Sequence, residues 1–308
     1  MRLTMLRPAL GLLACLALAG CLCEPAGGPR PDGPEMRLIP AGEFLMGSRD
    51  SAQVVVQKGG GEPKFYEREH PRHRVRISRP FLLQATEVTN DQFAAFVAAT
   101  GHRTDAERQG FGFIWQKGWV RMPGADWRHP QGAESGIEGR GRHPVVQVSW
   151  RDAQAYCRWL GQTLGRACFL PSEAQWEYAC RAGTTTPFTF GETITTDQAN
   201  YFGGAPYAGG PKGVYRKDTT PAGSFPANAW GLQDMHGNVW EWCADWFNEG
   251  YYRVSPDLDP PGPASGEERV VRGGAWNFPA RGVRSARRYG RDPGQGYSLI
   301  GFRPAAQP

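Results

Sequence analysis

Residues 143–180 read HPVVQVSWRDAQAYCRWLGQTLGRACFLPSEAQWEYAC, and this stretch decides the fold class. His143–Trp150 predicts a strand. Ser149 then predicts an N-cap, with Asp152 as the acidic half of a capping box. The helix that follows places Ala153, Tyr156, Cys157 and Leu160 on one face and is expected to stop at Gly161. After Pro171, Ser172 and Gln175 open a second helix, which runs through Trp176, Tyr178 and Cys180 to Gly183. Toward the N-terminus, Thr89-Asn90 opens another helix, with Phe93, Phe96 and Val97 on one face and Gly101 at its end. Arg74–Ile77 and Phe81–Glu87 read as strands, and Met36–Met46 as a strand with a turn at Pro40-Ala41-Gly42. Residues 102–143 read as a long polar-aromatic loop, a length usually given to a binding surface. Toward the C-terminus the chain is mostly turns up to Trp230. Val239–Trp246 and Arg269–Arg272 add strand-like pieces. The sum is an α+β chain with few regular elements.

Composition agrees. Gly and Pro number 41 and 26 among 308 residues, with no short repeat, which argues for a loop-rich globular domain. Trp, Phe and Tyr number 11, 15 and 10, so such a fold can still bury a large apolar area. Charged residues at 21% and hydrophobic residues at 40% argue against bulk disorder. The net charge is +5, with both signs interspersed, so nucleic acid is not an expected partner.

Residues 1–20 read as a secretory signal. Arg2 and Arg7 supply the positive end, and Ala9–Ala19 is too short to span a bilayer, which needs about 20 apolar residues. Leu18-Ala19-Gly20-Cys21 resembles a bacterial lipobox, which implies cleavage before Cys21 and acylation of that residue. More than one acyl chain gives stable anchoring. A soluble secreted protein cut near Ala19 is the competing reading. The expected location is the bacterial cell envelope, lipid-anchored in the membrane. Leu22 rather than Asp after the Cys points to the outer membrane. Residues 21–35 read as a flexible tether and 36–308 as the folded domain. Disulfides are permitted outside the cytoplasm. Cys157, Cys168, Cys180 and Cys243 lie in the folded domain and allow three full pairings. No Cys-x-x-Cys pair is present, so a zinc site of that type has no support.

Several motifs carry a resemblance: IPAGEFLMG at 39–47, FLLQATEVTNDQFAAF at 81–96, GLQDMHGNVWEW at 231–242, the stretch at 143–180, and VVRGGAW followed by GFR between 270 and 303. With the loop Gly124–Gly132 they resemble the sulfatase-modifying-factor family, the formylglycine-generating-enzyme-like domain. The resemblance implies a loop-rich variant of the C-type lectin fold. It also implies oxidation of a sulfatase Cys to formylglycine by oxygen and copper held on two thiolates, ligands that suit copper(I). The position matching the first catalytic Cys is Phe278. The second falls in a stretch this chain shortens, and no Cys follows Cys243. Copper is therefore not expected, and no catalytic residue is assigned. Two structural Cys of the enzymes match Ser285 and Pro304, so Cys157 and Cys180 are expected to be free or paired differently.

The resemblance further implies a calcium site, with carboxylates from Asp234 and Glu241 and backbone carbonyls from Gly237 and Val239. Such a set of oxygens suits a hard cation. The competing reading is that Glu241 pairs with an Arg. Trp127, Arg128, Trp240 and Arg288 are candidate walls of a groove for a peptide or protein ligand. The C-terminal arginines, Arg281 to Arg291 and Arg303, read either as that groove's guanidinium forks or as internal braces. His70 and His73 read as a satisfied strand-edge pair, and His129 and His143 as structural. The expectation is an extracytoplasmic lipoprotein whose domain serves as a calcium-containing binding or accessory module. A diverged oxidoreductase or maturation enzyme is the alternative, with formylglycine generation its least favoured form.

Overall fold

Capping boxes at Thr89, Thr104, Ser149 and Ser172 start four helices in the computed structural model, which describes Met1 and residues 34–308. The signal, Cys21 and most of the tether lie outside the described residues. Among the described residues no helix is long and apolar enough to cross a membrane.

Elements are numbered in chain order. One antiparallel sheet places β1 (Met36–Ile39) beside β4 (Phe81–Gln84), then β12 (Ala305–Ala306) and β7 (Cys168–Phe169). A second sheet has the order β10 (Arg288–Arg291), β9 (Arg269–Arg272), β8 (Trp240–Trp246), β11 (Ile300–Gly301), with only β11 and β8 parallel. Two hairpins stand apart: β2 (Gly42–Met46) with β3 (His73–Ile77), and β5 (Phe111–Trp115) with β6 (Trp119–Pro123). The C-terminal residues 300–306 visit both four-stranded sheets, so Arg303 lies where the two are tied together.

The helices are α1 (Ala52–Gly59), α2 (Lys64–Glu67), α3 (Asn90–Thr100), α4 (Asp105–Gln109), α5 (Trp150–Leu164) and α6 (Glu173–Arg181). The apolar faces of α3 and α5 make one core with Trp127, Trp240, Trp242 and Phe302. A second core gathers Trp176 and Cys180 of α6 with Ile39, Leu83, Cys243 and Val270.

Three expectations need correction. His143–Ser149 is not a strand. Pro144 has no N–H to donate, and Gln147 sits at φ 59°, so the extended run is broken. Its valines are nevertheless buried, because Val145 bonds to Val88 and Gln147 to Tyr297 through the backbone. Next, α5 does not stop at Gly161 but continues to Leu164 and ends at Gly165, φ 66°. Gly161 serves close packing instead: a Cβ there would meet the Arg166 carbonyl at 2.9 Å and the Cys168 nitrogen at 3.2 Å. Finally, residues 102–143 are not one irregular loop. They hold α4 and the β5–β6 hairpin, with Trp115 opposite Trp119.

The cysteines form no disulfide among the described residues. Cys157, Cys180 and Cys243 are free and buried, and Cys168 is free and partly buried. Burial pushes the Cys180 thiol up to about 12 and those of Cys157 and Cys243 up as well. Thiols held neutral in this way are poor nucleophiles and poor metal ligands.

Candidate functional site

The arginines near the C-terminus divide into two groups. Arg288 is wholly buried and chelates both Glu173 oxygens at 2.6 and 2.7 Å. Arg284 does the same to Glu69 at 2.8 and 2.7 Å. Arg272 reaches Glu177, and Arg303 holds Glu241 at 2.7 Å through two nitrogens. These are internal braces, each also bonded to backbone carbonyls: Arg288 and Arg303 to the distant Arg68 and Ala85, Arg272 to Ala286, and Arg284 to the nearby Arg281. Arg288 therefore does not wall a groove, because Glu173 takes its fork. Arg281 and Arg291 are only partly buried and face a pocket.

Two pockets adjoin at Trp115. The first, about 240 Å³, is lined by Trp115, Trp127, Ile137, Arg140, His143 and Trp276. The second, about 440 Å³, is lined by Tyr66, Trp115, Phe278, Arg281, Arg287 and Arg291. Of the expected walls, Trp127 is present. Arg128 lies over the Trp127 ring at 4.0 Å and pairs with Glu107 at 2.9 Å. Trp240 stands behind Phe278, ring to ring at 5.3 Å and 88°. The first pocket's His143 bonds to Thr219 at 2.8 Å. Burial and then Arg140 lower its pKa, so the ring is neutral at pH 7. No Cys lines either pocket.

Sequence reading missed Trp115 and Tyr66. Trp115 belongs to the hairpin hidden in the supposed loop. Tyr66 comes from α2, which meets residue 287 only through tertiary folding. The run Phe111–Trp119, with four aromatics among nine residues, was the available signal for the first.

The segment 234–241 is tightly coiled. Asp234 and Asn238 lie at φ 59° and 58°, and a Cβ on Gly237 would strike the Asn200 carbonyl at 2.2 Å, so only Gly is accommodated. Asp234 accepts the Gly223 N–H at 2.6 Å with Oδ2, while its buried Oδ1 has no partner. Glu87 accepts from Asn238 at 3.0 Å with Oε1, and its buried Oε2 also has no partner. Burial pushes Asp234 up to about 6 and Glu87 up as well, the latter further raised by Asp234. Orphaned carboxylate oxygens of this kind suit either a proton or a cation. Glu241 does have the arginine partner of the competing reading, and its Oε2 also accepts the Trp176 indole N–H at 2.7 Å. Oε1 takes only one bond, from Arg303, and so retains capacity for another partner. Among the described residues no group of three or more His, Cys, Asp or Glu is arranged to hold a metal ion. A cation here would thus rely on Asp234, the Glu241 Oε1 edge and the carbonyls of Gly237 and Val239.

The antiparallel and mixed four-stranded sheets, the capped helices and the long connecting loops define a loop-rich α+β protein of the C-type-lectin-like kind. The chain belongs to the sulfatase-modifying factor enzyme 1-like domain family, which it matches over residues 24–308. It is 40% identical over 306 residues to a formylglycine-generating enzyme of Streptomyces coelicolor, covering 91% of each chain. Among solved structures it resembles PvdO from Pseudomonas aeruginosa, with TM-score 0.70, 30% identity, and coverage of 91% of this chain and 96% of that one. Treponema denticola variable protein 1 shares the fold, with TM-score 0.62, 24% identity, and coverage of 89% and 95%.

Proposed function

We propose that this chain is a lipid-anchored envelope protein whose domain binds a peptide or protein ligand in the groove of the two pockets, without copper oxidase chemistry. The observation that carries the reading is Phe278. By the family resemblance it stands where the enzymes carry the first copper thiolate, and in the fold its ring packs against Trp240 and Trp115 at 5.3 and 6.2 Å. A phenyl ring supplies neither a soft ligand nor a redox centre. The four described thiols are no substitute, since none lines the groove. Aromatic walls and a few polar groups are what a binding cleft needs. The test is incubation of the purified domain with a Cys-x-Pro-x-Arg peptide, copper and reductant. Mass spectrometry should find the peptide's Cys intact. Aldehyde formation above the protein-free rate would return the chain to the oxidases.

Anchoring is part of the proposal. Cys21→Ser should abolish fatty-acid labelling and shift the protein out of the membrane fraction. Unchanged labelling would refute the anchor.

Calcium is the proposed ion, held by Asp234, Glu241 and the carbonyls of Gly237 and Val239. It would supply charge compensation to a carboxylate-rich turn. Calcium at 100 times its Kd should stabilise the domain by about 2.7 kcal/mol through linkage. Asp234→Ala should remove most of that gain relative to chelator. An undiminished calcium shift in the variant would place the ion elsewhere.

A further inference from the structure

The second pocket has a charge imbalance. Arg287 is 6% exposed and lines it. Its nearest carboxylate, Glu69, is already chelated by Arg284, and Arg287 approaches it only to 3.7 Å. Its Nε has no hydrogen-bond partner, and its Nη1 donates to the Phe65 carbonyl. One carboxylate thus stands between two buried guanidiniums. Arg281 and Arg291 add two more cations and donate only to the carbonyls of Gly59 and Gly290, at 2.8 and 2.7 Å. The one acid of the lining, Glu62, is exposed and bound to Lys64 at 2.8 Å. Burial, then Arg284 and Arg68, lower the Arg287 pKa to about 10, opposed by Glu69, which fits a buried cation short of a counter-ion. A buried charge left unpaired is costly. Most of the remaining walls are aromatic, Phe65, Tyr66, Trp115, Phe278 and Tyr289, with one polar side chain, Asn277, whose buried Oδ1 has no partner.

We propose that this pocket binds an oxyanion carried on a flat apolar group, the anion seated against Arg287, Arg291 and Arg281 and the apolar body against Phe278 and Trp115. Guanidinium forks match carboxylate, sulfate and phosphate alike. This names the ligand class of the groove and rests on its reading as a binding site.

The probes are N-acetylphenylalanine, phenyl sulfate and phenyl phosphate, with N-acetylphenylalaninamide as the uncharged control, titrated calorimetrically at low salt. At least one acid should bind about tenfold or more tightly than the amide, as a charge-assisted contact implies. The tightest of the three identifies the anion. Arg287→Gln should weaken it about tenfold, and Arg291→Gln by a smaller factor. If Arg287→Gln does not fold, Arg281→Gln and Arg291→Gln decide. Equal binding of acid and amide, binding unaffected in folded variants, or no acid binding at all would each overturn the proposal. Aldehyde formation on the sulfatase peptide would remove the non-oxidase reading and leave the anion site standing. An absence of acid binding, with the peptide unchanged, would remove the anion site alone.

Discussion

Glu241→Ala should destabilise the domain by about 3–5 kcal/mol, the cost of stripping one partner from a buried ion pair. Both Glu241 and Arg303 are wholly buried. The substitution leaves a guanidinium held only by the carbonyls of Gln84, Ala85 and Gln233, and it orphans the Trp176 indole N–H. Domains of ordinary stability have about 5–15 kcal/mol in all, so much of the margin would go. Arg303 sits between the strands that join the two four-stranded sheets, and the damage should therefore be global. The loss should appear in chelator as well as in calcium, because the stranded group is the arginine. Urea unfolding measures it, and a cost below about 1 kcal/mol would mean that the pair is not closed in solution.

Asp245 should make the protein less stable as pH rises. It is buried and accepts the Glu173 N–H at 2.7 Å with Oδ2, at the start of α6. Burial first, then the neighbouring Glu173 carboxylate, push its pKa up to about 7, against the hydrogen bond from the Glu173 N–H and the pull of Arg288. The unfolded chain titrates near 3.9. A raised carboxyl pKa means that the folded state holds the proton more tightly. Its stabilising effect is thus whole below pH 4 and is lost as pH climbs through 7. The ionised fold is disfavoured by on the order of 4 kcal/mol. Glu177 works in the opposite sense. Its pKa is lowered by Arg181 and Arg272 against burial, so its contribution is lost only on acidification. Asp245→Asn keeps an acceptor for the Glu173 N–H and has no charge to gain. Urea melts at pH 5, 7 and 9 should show the wild type weakening more steeply than the variant, which keeps only the slope from the other raised carboxyls, Asp234 and Glu87. Parallel pH profiles would show that Asp245 is not the titrating group.

How far the candidate site was legible differs residue by residue. Trp127 was named from its motif and lines the first pocket, whereas Phe278 was named only as the position matching a catalytic Cys, and its place beside the second pocket came from the fold. Arg288 was misread. A cluster of arginines looks the same in sequence whether each faces solvent, ligand or a buried acid, and its acid lies 115 residues away. The pocket cation Arg287 was indistinguishable from Arg288 for the same reason.

What the sequence determined by itself was local or categorical. Capping boxes at Thr89, Ser149 and Ser172 act within four residues, so these helix starts were readable and are present. The absence of Cys beyond position 243 is a plain count. What only the tertiary structure decided was every pairing across distance. The β5–β6 hairpin is set in place as Phe113 meets residues 296–298, and the His143–Ser149 run is held by Val88 and Tyr297 rather than by a ladder. Residues 300–306 close both sheets, and Glu69 is divided between two arginines more than 200 residues away. A cap's free energy comes from neighbours in the chain. An ion pair or a strand pairing takes its free energy from whatever the fold brings alongside, and that partner is not written near it.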